Sequence, residues 1–109
     1  MEAATNDYVL RAGELEIRPR EFVALAAGKR MHLTARELDL LTALVERRER
    51  IVSREELYRV AWGETYRKSD RSVDVYVAKL RVKLDEALPG RRFIHTHFGF
   101  GYRFSIESP

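Results

Sequence analysis

The sequence predicts a single α+β domain in which a small N-terminal antiparallel sheet precedes three helices and a C-terminal β-hairpin. Three observations support this architecture. The first third of the chain alternates short apolar segments with turn residues, two helix-start motifs follow, and an alternating run comes after Pro89-Gly90. A chain of 109 residues, 45% of them hydrophobic, is long enough to bury one core.

Short strands are predicted throughout the first third of the chain. The segments are Val9–Leu10, Leu15–Arg18, Phe22–Leu25 and Met31–Leu33. Pro19-Arg20 and Ala27-Gly28 lie between them and are typical of turns. Because the connections are short, we expect the strands to pair as an antiparallel sheet.

The first helix is predicted to begin after Thr34, because Thr34 and Glu37 have the spacing of a capping box. In that motif the hydroxyl and the carboxylate each accept a hydrogen bond from a backbone amide at the helix start. Leu38, Leu41 and Val45 follow at helical spacing and predict a face that packs in the core.

A second helix is predicted where Ser53-Arg54-Glu55-Glu56 repeats the capping-box pattern. Leu57, Val60 and Ala61 form its apolar side, and Trp62-Gly63 ends it. The following residues, 64–70, are polar without an apolar period and predict an exposed loop.

The third helix is predicted over Arg71–Leu84, where two sets of residues fall on separate faces. At about 100° per residue, one sector gathers four apolar residues that should face the core, namely Val73, Val77, Leu80 and Leu84. A second sector is mixed polar and basic and contains Ser72, Val75, Tyr76, Lys79 and Lys83. The chain then predicts a hairpin over Phe93–Ile106 that turns at Gly99-Phe100-Gly101, where glycine adopts positive backbone dihedrals at low cost.

Charge is concentrated around this helix. The whole chain has a formal net charge of only +3, whereas residues 66–92 contain eight basic and four acidic side chains. A solvated, amphipathic surface helix is one interpretation of the pattern. The other is a helix lying in the major groove of DNA, where a lysine reaches guanine acceptors and apolar groups meet thymine methyls. Basic residues around it would then contact phosphates: Arg67, Lys68, Arg71, Arg81, Lys83 and Arg92.

Several short motifs, in shared order and spacing over residues 9–104, resemble the effector domains of OmpR/PhoB-type bacterial response regulators. They are Leu33-Thr34 with Glu37 and Leu41, Ser53-Arg54-Glu55, Trp62-Gly63, Asp70-Arg71 with Val73-Asp74-Val75, Leu80-Arg81, Thr96, and Gly99-Phe100-Gly101-Tyr102. The resemblance implies a winged helix-turn-helix with a four-stranded N-terminal sheet, three helices and a C-terminal hairpin wing. It also implies sequence-specific binding to promoter DNA in transcription regulation.

The resemblance further implies roles for individual positions. Ser72, Val75, Tyr76 and Lys79 match base-facing positions, whereas Arg71 and Arg81 match positions nearer the DNA backbone. The wing, with Phe98, Gly99, Gly101 and Tyr102, would lie near the adjacent minor groove. The loop 64–70 corresponds to a segment through which some relatives contact RNA polymerase, and tandem occupancy of repeated half-sites is implied as well.

Three positions depart from the family pattern. Phe98 stands where an arginine is usual, Tyr76 where histidine is common, and Lys79 where arginine is frequent, so the bidentate fork of arginine is lost. For Phe98 the favoured interpretation is a side chain turned inward onto the hairpin. The alternative is an exposed ring that packs against sugars or inserts between base steps.

Two other functions, protein interaction and metal-dependent catalysis, are alternatives to DNA binding. Val75, Phe98 and Phe100 would suit a winged helix that binds RNA polymerase or a partner domain with little DNA affinity. His95 and His97 lie two apart on a predicted strand and share a face, but the sequence offers no evident third metal ligand. Asp70 and Asp74 suit a helix start better than acid–base chemistry. We therefore predict neither an enzyme nor a metal or cofactor site.

The remaining expectations concern boundaries and location. Residues 1–8 are predicted to be a tail or linker remnant, residues 9–106 the domain, and residues 107–109 a C-terminal tail. The segment before Val9 is too short for a receiver domain, which a longer protein would carry in cis. Because the chain lacks cysteine, a secretion signal and a long apolar stretch, we expect a cytoplasmic protein without membrane contact.

Overall fold

A computed structural model describes residues 8–107, and its N-terminal part is a four-stranded antiparallel sheet. The strands are β1 (Leu10–Ala12), β2 (Leu15–Arg18), β3 (Val23–Ala26) and β4 (Lys29–Arg30), and they pair in chain order. A single 3-10 turn, Pro19–Glu21, separates β2 from β3. Of the predicted tails, 1–8 and 107–109, residues 1–7 and 108–109 lie outside the described part of the chain.

The fourth strand lies earlier than Met31–Leu33, so that prediction was wrong. Ala27 and Gly28 both have positive φ, 50° and 80°, which is the geometry of a two-residue hairpin turn. Pairing therefore resumes directly at Lys29, opposite Ala26. Met31 still donates its amide to the Ala24 carbonyl at 2.8 Å, after which the chain leaves the sheet. The turn at Ala27-Gly28, and not the apolar run that follows it, therefore determines where β4 begins.

Three helices follow: α1 (Ala35–Glu46), α2 (Arg54–Trp62) and α3 (Ser72–Ala87). The capping box of α1 is confirmed in both halves. The Glu37 amide donates to Thr34 Oγ1 at 3.2 Å, and the Thr34 amide donates to Glu37 Oε1 at 2.8 Å. This reciprocal pair fixes the start of the helix that carries much of the core.

The second capping box is only half formed. Ser53 Oγ accepts the Glu56 amide at 3.1 Å, but the Glu56 carboxylate accepts hydrogen bonds from Arg47 and Arg50, each at 2.9 Å. Glu56 therefore joins α2 to the end of α1. Gly63 ends α2 in the left-handed conformation, as predicted, whereas Val60 is 46% exposed and does not belong to the core side.

A second sheet of three strands holds the C-terminal hairpin. Its strands are β5 (Ile51–Val52), β6 (Arg92–His97) and β7 (Gly101–Glu107), in the order β5-β7-β6. The hairpin is confirmed, and β7 extends one residue past the predicted domain end. The strand β5 was not predicted; by pairing with β7 it joins the hairpin to the connection between α1 and α2.

The core lies between the two sheets and the three helices. The predicted apolar face of α3 is buried, with Val73, Val77, Leu80 and Leu84 each at most 2% exposed. It packs with Leu40, Leu41, Leu44, Leu57 and Phe104, among others. The element order and topology are those of the winged helix-turn-helix predicted from the sequence.

Candidate nucleic-acid interface

One side of α3 faces solvent along most of the helix. This exposed stripe consists of Arg71, Val75, Ala78, Lys79 and Val82, with Val75 48% and Val82 58% exposed. Single exposed apolar side chains are ordinary on protein surfaces, but several on one face of a helix are typical of a contact surface. The predicted base-facing set overlaps the stripe at Val75 and Lys79, while Ser72 and Tyr76 are half-buried at its edge. Sequence reasoning missed Ala78 and Val82, although their spacing from Val75 places them on the same face.

Aromatic rings of α2 hold the edge of this stripe. Tyr76 packs edge-on against Trp62, with ring centroids 5.4 Å apart, and Trp62 stacks on Tyr58 at 5.0 Å. Lys79 places its ammonium 4.8 Å from the centre of the Tyr76 ring, a cation–π distance. The lysine is thus attracted to Tyr76 on the surface of α3 before any ligand is present.

The start of α3 is organised by Asp70. Its carboxylate Oδ1 accepts the Ser72 amide at 2.8 Å, which satisfies a donor that the helix itself leaves open. Hydrogen bonds from the Ser72 side chain and backbone hold the pKa of Asp70 below its usual range. Arg67 and Lys68, which precede it on the loop, are exposed.

Asp74, on the opposite flank of the exposed stripe, connects three elements. Its Oδ1 accepts hydrogen bonds from the Tyr102 hydroxyl of β7 and from Arg54 Nε of α2, the latter at 2.7 Å. Burial raises the pKa of Asp74, but these two bonds outweigh it and hold the pKa below its usual value. The carboxylate is therefore charged at neutral pH and ties the wing hairpin to α3.

Arg81 has an internal role that the sequence did not reveal. Its guanidinium Nη2 donates to the Ile94 carbonyl at 2.9 Å and to Thr96 Oγ1 at 2.7 Å, both on β6. The guanidinium also lies 5.7 Å from the Tyr102 ring centre. The phosphate contact of Arg81 stays a prediction, and in this structure the donors of its guanidinium are directed into the hairpin.

Lys83 is likewise drawn to the protein itself. Its ammonium lies 2.7 Å from Glu37 Oε1 and donates to the His32 carbonyl at 2.8 Å. Burial raises the pKa of Glu37, yet hydrogen bonds from Lys83 and Thr34 bring it below the usual value. The phosphate contact of Lys83 stays a prediction, and it would require the lysine to leave Glu37 and so leave a buried carboxylate without its partner.

Arg92 is exposed but lies far from the wing tip. It pairs in register with Glu107 at the end of β6 opposite the turn, so about five residues, roughly 16 Å of strand, separate it from residue 97. Any phosphate that it contacts must therefore be distant from those near the tip.

The wing tip presents two aromatic rings to solvent. Phe98 is 88% exposed and Phe100 72% exposed, on a turn that the Phe100 amide closes by donating to the His97 carbonyl at 2.9 Å. The prediction that Phe98 turns inward was wrong, because its position lies beyond the last sheet pair, between His97 and Gly101, and has no sheet face to cover it.

The other wing residues explain the shape of the hairpin. Gly101 has φ 143°, and a Cβ there would lie 2.0 Å from the Val52 carbonyl oxygen, so only glycine allows β7 to approach β5. Gly99, at φ 83°, has open space around it. Tyr102 is only 4% exposed and faces α3, so it anchors the wing and does not reach outward.

The two candidate metal-binding histidines have partners within the hairpin. His95 Nε2 lies 2.8 Å from the Ser105 carbonyl oxygen, and His97 Nε2 accepts a hydrogen bond from Arg103 Nε at 3.1 Å. Over residues 8–107, no group of three or more His, Cys, Asp or Glu side chains is arranged to hold a metal ion. In the same range, no helix has the length and apolar character required to cross a membrane.

Comparison with known proteins agrees with this geometry. The family model described as "Transcriptional regulatory protein, C terminal" matches residues 28–104. The chain is 34% identical over 107 residues to RpaA of Synechocystis sp., named a DNA-binding dual master transcriptional regulator. That match covers 98% of this chain and 44% of RpaA, so the chain spans less than half the length of this relative.

Solved structures superpose on the whole described fold. The DNA-binding domain of CpxR from E. coli gives a TM-score of 0.80 at 29% identity, covering 88% of this chain and 94% of that one. The DNA-binding domain of Klebsiella pneumoniae RstA, solved in complex with the RstA box, gives 0.80 at 31% identity, with coverage of 90% and 97%. The family model, the relatives and the geometry agree: this chain belongs to the winged-helix DNA-binding effector domains of OmpR/PhoB-type response regulators.

Proposed function

We propose that this chain reads promoter double-stranded DNA with the exposed stripe of α3 in the major groove and the hairpin 93–106 at the adjacent minor groove. The observation that carries the proposal is the joint between Asp74 and Tyr102, which holds an open helix face and an open wing tip side by side. RstA, a structural relative at 31% identity, was solved bound to its DNA box, which supports the same use of the fold here.

Direct base contacts fall to Lys79 and Val75. A lysine ammonium donates to the O6 and N7 acceptors of guanine, and a valine methyl suits the methyl group of thymine. Ser72 and Tyr76, at the edge of the stripe, complete the predicted set, and Tyr76 also directs Lys79 by holding its ammonium over the ring. Lys79 leaves this ring when it meets a base, so part of its contact energy offsets the lost cation–π interaction.

Arg67, Lys68 and Arg71 contact phosphates in this proposal, since all three are exposed around the start of α3. The Arg71 side chain is 80% exposed, and its ion pair with Asp74 spans 3.5 Å, so it is free to swing toward a phosphate. Arg92 contributes only if the duplex extends past the C-terminal end of α3.

Selection of duplexes from a random pool, followed by footprinting on the enriched sequence, tests the proposal. Lys79→Ala should reduce the ratio of specific to nonspecific affinity, because it removes a base contact. Arg67→Ala is the matched control and should lower affinity for all duplexes while leaving that ratio in place. Equal loss on every sequence for Lys79→Ala contradicts its role as a base reader. Failure of the wild-type chain to bind duplex even at low salt favours a protein-interaction module instead.

The regulatory setting rests on the length of the relatives. Because RpaA is more than twice as long as the matched region, we infer that this domain acts with a receiver domain in cis in a cytoplasmic two-component system. RNA polymerase contact through loop 64–70 and tandem occupancy of half-sites are further parts of this proposal. Alanine substitutions at Glu64 and Thr65, exposed residues of this loop that are not assigned to phosphate, would support the polymerase contact if they abolish transcription but spare DNA affinity. Footprints of one half-site or two distinguish single from tandem occupancy.

A further inference from the structure

The wing tip carries no formal charge, although it lies beside the proposed DNA-binding face. Residues 98–102 contain no acidic or basic side chain, and the two most exposed large apolar residues near α3 are Phe98 and Phe100. A tip that only closed a turn would not need two aromatic rings in water. Exposed apolar groups of this size mark a contact surface.

The position of the tip indicates what that surface meets. Tyr102 is hydrogen-bonded to Asp74 in the first turn of α3, and Gly101 abuts the end of β5 next to the start of α2. The tip therefore projects from the same end of the domain as the start of the exposed stripe. Asp74 joins the two features, and its ion partners are Arg71 of the stripe at 3.5 Å and Arg54 of α2 at 2.7 Å. A phosphate strand that separates a major from a minor groove would cross these cations, which places the tip at the minor groove.

We propose that Phe98 and Phe100 make an apolar, charge-free contact with the sugars that wall the minor groove, so that the wing adds affinity without releasing counterions. This inference rests on the proposed function. Minor-groove proteins use apolar side chains in this manner, often with some local deformation of the duplex. The deoxyribose walls offer C–H surface, and burial of two phenyl rings against them is favourable and insensitive to salt.

Salt dependence distinguishes this contact from a conventional cationic wing. On the duplex enriched by selection, Phe98→Ala should weaken binding about tenfold, and the loss should be the same at every salt concentration. Phe98→Arg should instead steepen the plot of log affinity against log salt by about 0.9, the value for one additional phosphate contact. Arg71→Ala, the matched control, should make that slope shallower by about the same amount. Both aromatic positions are exposed, so these substitutions should leave the urea midpoint unchanged.

Two results would overturn the inference while leaving the proposed function intact. One is a Phe98→Ala, Phe100→Ala double variant that binds a single half-site as tightly as the wild type while Lys79→Ala still loses discrimination. The other is a double variant that loses only cooperativity between two half-sites, which would assign the rings to a second copy of the chain. A wild-type chain that selects no sequence at all contradicts the proposed function itself, and the wing variants are not needed to see it.

Discussion

The Tyr102 hydroxyl donates a hydrogen bond to Oδ1 of Asp74 and thereby joins the last strand of the wing to the first turn of α3. Burial, reinforced by the neighbouring Asp74 carboxylate, raises the pKa of Tyr102, so the hydroxyl keeps its proton. The pKa of Asp74 is lowered, so the acceptor stays charged. The joint between helix and wing is therefore complete over a wide range of pH.

Removal of the hydroxyl should weaken the fold measurably. Tyr102→Phe keeps the ring but leaves Asp74 with its two arginine partners, Arg54 and Arg71, and a hydrogen bond to a charged group contributes about 1.5–3 kcal/mol. Urea unfolding gives the free energy. Tyr66→Phe is the control, because its hydroxyl makes only a 3.5 Å contact with the Asp70 carbonyl, and it should cost less than about 0.5 kcal/mol. Equal effects for the two variants would disprove the special role of the joint.

The two wing glycines should respond differently to alanine. Gly101→Ala places a Cβ 2.0 Å from the Val52 carbonyl oxygen, so β5 and β7 must separate, and we expect a loss of about 3 kcal/mol or more. Gly99→Ala has open space and carries only the cost of the left-handed conformation, about 1–2 kcal/mol. Thermal unfolding of both variants tests the order, and the reverse order would contradict the close approach of the two strands.

Substitution of Arg81 should lower stability and leave the salt dependence of DNA binding unchanged, whereas substitution of Arg71 should do the reverse. Arg81→Met leaves the Ile94 carbonyl and the Thr96 hydroxyl without their donor and should cost about 1–3 kcal/mol of unfolding free energy. Its DNA affinity should keep the wild-type salt slope at temperatures where the variant is folded. Arg71→Ala should do the opposite, since an exposed ion pair adds little stability. A shallower dependence of log DNA affinity on log salt for Arg81→Met would support the phosphate contact that the sequence predicted for Arg81.

The ion pair between Glu37 and Lys83 should make stability depend on acidity. The folded pKa of Glu37 is lowered, so its contribution is present above the ordinary glutamate pKa, about 4.3, and is lost as the pH falls through the folded value. Glu37→Gln keeps an oxygen for the Thr34 amide but loses the charge. At pH 7 we expect it to be about 1–3 kcal/mol less stable than the wild type, with the difference shrinking below pH 4. A constant difference between pH 7 and pH 3 in urea titrations would argue against the pair.

The parts of this fold that were predicted correctly depend on local chemistry. The start of α1 follows from Thr34 and Glu37, three residues apart, and the end of α2 follows from Gly63. The buried face of α3 follows from helical spacing alone. Such features require only neighbours within one turn or one helix, which a single sequence displays directly.

The features that the sequence did not reveal depend on partners distant in the chain. Lys83 falls near the DNA-facing sector of a helical wheel, but Glu37, 46 residues earlier, binds it at 2.7 Å. The two-residue strand β5 exists only because β7 pairs with it, some 50 residues later. The inward orientation of Phe98 was wrong for the same reason, because the hairpin provides no cover for its ring. The hairpin also provides acceptors for Arg81 that the sequence did not reveal, while the phosphate contact of Arg81 stays a prediction. Of the candidate site, the sequence located α3 and the wing but could not assign which cations were already engaged.

The pairing of β5 with β7 has a consequence for the duplex. The wing shares a sheet with the segment that joins α1 to α2, and Tyr102 links it to α3 by a hydrogen bond. These two connections fix the distance between the helix and the wing tip. With that distance fixed, the protein cannot adapt to a DNA groove of a different width. On the proposed binding mode we therefore expect the DNA to bend or narrow, so that sequences that deform at low energetic cost between the two contacts are favoured even where no side chain touches a base.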